Sequence, residues 1–188
     1  MAEVQGLDAG VSDENVILVC SDGEIKISRR AARKSEMLLG LLKVNPNAPS
    51  FETKQITREI MTEVVKYLEH YKNKEPKVVM PPLPSADLKD ACDPWDVEFV
   101  EPYDSNNNIF ILLNMLLAAN FMDIKALKHL LAAKFATHLK TKNCEEMKKL
   151  LGITQTLTPQ QENEIRKKYP EYFAWLKPPT KADEKTDD

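Results

Sequence analysis

The chain has 188 residues, 43% of them hydrophobic and 29% charged, with a formal net charge of −3. That composition is ordinary for a globular chain able to bury a core without disulfides or metals. The small negative charge argues against a nucleic-acid partner. The longest apolar stretch, 109–122, is broken by Asn114 and Asn120 and is shorter than the roughly 20 residues of a membrane span.

In chain order, the apolar and largely β-branched run 16–20 predicts a strand, and Ser21-Asp-Gly-Glu24 predicts a hairpin turn. Ile25 and Ile27 alternate with Lys26 and Ser28, so a half-buried second strand returns. One helix is expected to follow, burying Ala31, Ala32, Leu38, Leu39, Leu41 and Leu42, with Gly40 blurring its end. Turn residues 45–50 lead to a short strand. Thr57 is a good N-cap for a helix in which Ile60, Met61, Val64, Val65, Leu68 and Tyr71 share one face. Glu63, Lys66 and Glu69 occupy the other.

Residues 72–94 carry Pro76, Pro81, Pro82, Pro84 and Pro94 and show no periodicity, which predicts an insertion loop. The 109–120 helix is apolar on nearly every side and is expected to be central and buried. Asp123 is read as the cap of a following helix with Ile124, Leu127, Leu131, Phe135 and Leu139 at helical spacing. Asn143-Cys-Glu-Glu146 resembles a capping box, and Gly152 is the natural stop of the short helix it opens. Thr158-Pro159-Gln160-Gln161 is a second such start, with proline at the first helical position. The charged end of the chain is expected to be disordered. This order defines an α+β fold, a small sheet covered by helices and followed by a helical annex.

The residues that could do chemistry are not assembled for it. His70, His129 and His138 stand among lysines without a second ligand at i+3 or i+4, and read as solvated surface histidines. No glycine-rich phosphate loop and no G-x-S-x-G is present. Cys144 lies at a helix start, but Glu145 and Glu146 oppose a lowered thiol pKa. Asp93 with Asp96 is explained by loop solubility. Neither catalysis, cofactor nor metal is expected. Cys20, Cys92 and Cys144 are sparse and widely spaced, as in a reducing compartment. The opening MAEVQGLDAGVSDE shows no secretory pattern, so cytoplasm and nucleus are the expected location.

Two blocks, Pro94-Trp-Asp-Val-Glu-Phe99 and Leu116-Leu-Ala-Ala-Asn-Phe-Met-Asp-Ile-Lys-Ala-Leu127, resemble the W-D-x-E-F and L-A-A-N-Y-L-D-I-K-x-L blocks of the S-phase kinase-associated protein adaptors of SCF ubiquitin ligases. Ser21-Asp-Gly-Glu-Ile25, Lys142-Asn-Cys-Glu-Glu-Met147 and Ile153 with Leu157-Thr-Pro159 extend the resemblance over about residues 15–168. It implies a BTB/POZ domain over 15–140, with the insertion loop 72–94. A C-terminal helical extension that binds an F-box would occupy 141–176. The segments 1–14 and 177–188 are expected to be disordered. Elongin C shares the POZ part but stops before such an extension.

The resemblance implies a bridge between a cullin and an F-box substrate receptor. Asn120 and Phe121 match the cullin-facing pair. Phe135, Leu139, Met147, Leu151, Ile153, Leu157, Ile165 and Trp175 fall on the F-box side. Pro159 matches a proline that some unicellular relatives hydroxylate and glycosylate. The family's usual tyrosine is Phe121 here, its acidic loop is more basic, and Glu171 stands where it carries tryptophan. The alternatives are a structural subunit stabilising a single F-box protein in a larger assembly without cullin, for which Phe121 speaks, and a self-assembling POZ scaffold. Free family members can form a homodimer. Neither nucleic acid nor membrane is among the expected partners.

Overall fold

The computed structural model of the chain describes residues 14–83, 87–103, 108–140, 142–154 and 157–170. Within them the chain divides into two compact units, Met1–Asn143 and Cys144–Asp188.

The first unit is built on three strands, β1 (Asn15–Val19), β2 (Glu24–Ser28) and β3 (Ser50–Glu52), in the order β2-β1-β3. The β1–β2 pair is antiparallel, with Leu18 opposite Ile25, and β1–β3 is parallel, with Leu18 opposite Phe51. Val16 and Leu18 are fully buried, as the two-residue strand period requires of one face. A parallel β1–β3 pair needs a crossover. The single helix expected there is two: α1 (Arg29–Ala32) and α2 (Glu36–Val44). Ser35 causes the break. Its hydroxyl accepts from the Leu38 amide, capping α2, and donates to the Met122 carbonyl at 2.5 Å.

Helix α3 (Arg58–His70) begins as its sequence dictates. The Thr57 hydroxyl accepts from the Ile60 amide, and the hairpin carboxylate of Asp22 accepts from the Arg58 amide. The far end of the same helix is tied to the sheet, where Glu69 accepts from the Ser28 amide at 2.7 Å.

The proline-rich insertion is less irregular than its composition suggests. Val79, Leu88 and Cys92 are buried anchors, and a 3₁₀ turn (Leu88–Asp90) follows Asp87, whose carboxylate caps it. Helix α4 (Pro94–Val100), with Pro94 at its first position, has no counterpart in the periodicity-based reading. Beyond it lie α5 (Ile109–Phe121) and α6 (Lys125–Lys140), packed on each other, with α5 also against α3.

Asp123 closes α5 rather than capping α6. It sits at φ 49°, in the left-handed region, and the Asp123 and Ile124 amides donate to the Asn120 and Ala119 carbonyls, a Schellman ending. A short polar side chain is among the few non-glycine residues that visit this conformation. The turn also serves α2, because the Met122 and Asp123 carbonyls accept from the Met37 and Glu36 amides.

The second unit holds α7 (Cys144–Leu150) and α8 (Pro159–Lys168). Helix α7 ends as read from sequence. Gly152 has φ 64°, and the Ile153 and Gly152 amides donate to the Lys148 and Lys149 carbonyls. Helix α8 carries the full capping box of Thr158 and Gln161. Neither helix holds a buried residue among those described.

Candidate partner-binding surfaces

The long apolar helix α5 is not buried all round. Ile109, Leu112, Met115, Ala118 and Ala119 face the core, whereas Phe110, Leu117 and Phe121 are 55%, 67% and 40% exposed. With exposed Asn114 these residues run at spacings of four, three and four, one solvent-facing row along the helix. At its C-terminal end the row borders a groove of about 270 Å³, lined by Gln55, Ile56, Thr57 and Ile60 opposite Asn114, Leu117 and Phe121. Asn120 is exposed as well but is not among the residues lining the groove. Phe110, Asn114 and Leu117 were not legible as surface from the apolar content of the helix. Asn114 and Asn120 were the available signals, since amides in an apolar helix mark the side that water reaches.

On α6, Phe135 and Leu139 lie one turn apart and half-buried, next to exposed Ala132 and Ala136. In the second unit Met147 and Leu151 are half-buried one turn apart, Ile165 is half-buried on α8, and Ile153 and Leu157 are 50% and 55% exposed. Pro159 is exposed at the start of α8. Trp175, the segment 177–188 and nearly all of 1–14 lie outside the described residues. An exposed apolar side chain forgoes about 25 cal/mol per Å² until something covers it.

The three histidines are not free surface side chains, contrary to the sequence reading: His138 is buried, and His70 and His129 are half-buried. His138 is buried, with Nε2 3.0 Å from the Tyr103 carbonyl, and half-buried His129 places Nδ1 2.9 Å from the Val79 carbonyl. His70 stacks on Trp95 at 3.6 Å and 3°. Burial pushes its pKa below the ordinary histidine value. Each ring therefore fixes a loop or helix to its neighbour.

The Trp-Asp pair of α4 explains itself in the same region. Trp95 joins an aromatic cluster with Tyr67, His70, Tyr71 and Phe99, and the Tyr71 hydroxyl donates to buried Asp96 at 2.7 Å. Burial raises the Asp96 carboxyl above the usual carboxylate range despite that hydrogen bond, and Asp93 adds to the rise. The same burial pushes the Tyr67, Tyr71 and Cys92 protons toward higher pH. Loop solubility therefore does not account for Asp96, which is a polar anchor in an aromatic core.

Among the described residues no group of three or more His, Cys, Asp or Glu could hold a metal ion, and no helix is long and apolar enough to cross a membrane. What the surface offers is one exposed apolar row on α5 and half-buried apolar side chains on α6, α7 and α8.

Residues 125–171 match the family model described as the Skp1 family, dimerisation domain. The chain is 30% identical over 142 residues to the S-phase kinase-associated protein 1 homolog of Tetrahymena thermophila, covering 76% of this chain and 83% of the relative. It is 29% identical over 153 residues to SKP1-like protein 13 of Arabidopsis thaliana, across 81% and 93% of the two chains. With the E3 ubiquitin ligase complex SCF subunit sconC of Arthroderma benhamiae it shares 27% over 161 residues, across 85% and 95%. The chain belongs to the Skp1 family.

Proposed function

We propose that this chain is a non-catalytic adaptor of an SCF-type cullin–RING ubiquitin ligase, holding a cullin on one surface and an F-box substrate receptor on another, in cytoplasm and nucleus. The observation that carries the reading is the solvent-facing row Phe110, Asn114, Leu117 and Phe121 with its adjoining groove, in a member of the Skp1 family. Asn120 and Phe121 serve the cullin side in this reading. Phe135, Leu139, Met147, Leu151, Ile153, Leu157, Ile165 and Trp175 serve the F-box side, and the fold of the first unit is a BTB/POZ domain. In the free chain the same apolar residues favour a homodimer that a partner displaces.

Phe121 offers an aromatic face without a hydroxyl, so its contribution to cullin binding is apolar contact. Phe121→Asp removes that contact and places a charge in the interface. An interface anchor of this kind is worth about 2 kcal/mol or more, roughly a thirtyfold loss of affinity. Titration of a recombinant cullin N-terminal fragment should show tight binding to the wild-type chain and at least that loss in the variant. Absence of wild-type binding would replace the bridge by the alternative of a subunit that stabilises one F-box protein without cullin.

A further inference from the structure

The insertion loop does more than connect α3 to α4. Its 79–83 segment lies along α6, pinned where Val79 is buried and its carbonyl meets His129 Nδ1 at 2.9 Å. Between segment and helix runs a groove of about 420 Å³, walled on one side by Val79, Pro81 and Leu83 and floored by Ala132, Ala133 and Ala136. These lining side chains are apolar, and alanines on the floor let another backbone approach closely. Lys128 stands at the rim.

Two observations bear on what covers it. Ala132 and Ala136 share their side of α6 with Phe135 and Leu139, so the groove is continuous with the half-buried apolar row there. The groove is also large enough for one bulky apolar side chain, and the Lys128 ammonium at its rim complements a carboxylate beside that side chain.

We propose that the groove between the 79–83 segment and the alanines of α6 receives a bulky apolar side chain from the F-box helix, which makes the insertion loop part of the receptor-binding surface. The proposal rests on the F-box reading given above. It assigns a role to a loop wall that the half-buried α6 positions alone do not contain, and the loop residues at 79–83 thereby help choose among receptors.

The test uses the full chain and a recombinant F-box segment as probe, with binding measured by titration calorimetry. Ala136→Trp fills the groove from an exposed floor position, and Leu83→Ser removes an apolar wall from the opposite side; thermal unfolding establishes that both variants fold. Leu139→Ser reports on the F-box reading itself. The expected result is at least a tenfold loss of affinity in Ala136→Trp and a smaller loss in Leu83→Ser. If both bind like wild type while Leu139→Ser binds weakly, the groove is not part of the interface although the F-box reading stands. If the wild-type chain does not bind the segment, the F-box reading and this proposal both fall. If Ala136→Trp changes only the self-association of the free chain, the occupant is a second copy and the proposal is overturned.

Discussion

Asp96 sits fully inside an aromatic cluster with one hydroxyl partner, Tyr71. Because burial raises its pKa in the folded chain, the fold holds its proton more tightly than the unfolded chain does. Its contribution to stability is therefore fully present below the ordinary carboxylate pKa and is lost as pH rises to the raised, folded value. Asp96→Asn keeps the shape and a polar contact to Tyr71 while removing the titration. In urea unfolding at a series of pH values, the stability difference between variant and wild type should drift in favour of asparagine across that window and stay level above it. A difference independent of pH would show that folding does not shift the Asp96 pKa. Asp93 and Asp96 look alike in sequence, as two acids flanking Pro94-Trp95. Only packing distinguishes the half-buried cap position of Asp93 from the buried anchor. The histidines teach the same lesson, because a backbone carbonyl 35 or 50 residues away cannot be read from neighbouring lysines.

At the scale of elements, periodic helices and their caps were legible, and the exposed face of a helix apolar on nearly every side was not. Thr57 and Thr158 announced α3 and α8 because a side-chain cap is a local interaction. Helix α5 lacks a polar face, so its composition alone could not show which side α3 and α6 would cover. Asp123 was ambiguous for a related reason, since the same short acid suits either a helix start or a left-handed helix end. Helix α2 carries a local conflict. Gly40 is exposed in its interior, and a Cβ there would meet nothing within 4 Å. Gly40→Ala should therefore stabilise the chain by about 0.5–1 kcal/mol, by reducing the freedom of the unfolded backbone. The gain should be visible as a higher urea midpoint with an unchanged slope. An unchanged or lower midpoint would contradict the open surroundings of Gly40.

For the whole molecule, the small sheet and the α3–α5–α6 packing form the platform, and the exposed apolar row of α5 stands on its solvent side. Membership of the Skp1 family was readable because the Trp-Asp and Ala-Ala-Asn-Phe blocks, carried by α4 and α5, resemble those of one family. The groove beneath the 79–83 segment was not, since it needs the loop and α6 in place together. In the bridge reading the two activities are separable at the junction of the two units, Asn143 and Cys144. The most direct measurement is sedimentation velocity of the full chain, and of a chain ending at Asn143, each mixed with a cullin N-terminal fragment and an F-box segment. The bridge predicts a single ternary complex with the full chain, and a cullin complex lacking F-box with the shortened one. A full chain that never carries both fragments at once, or a shortened chain that still carries the F-box, would contradict it.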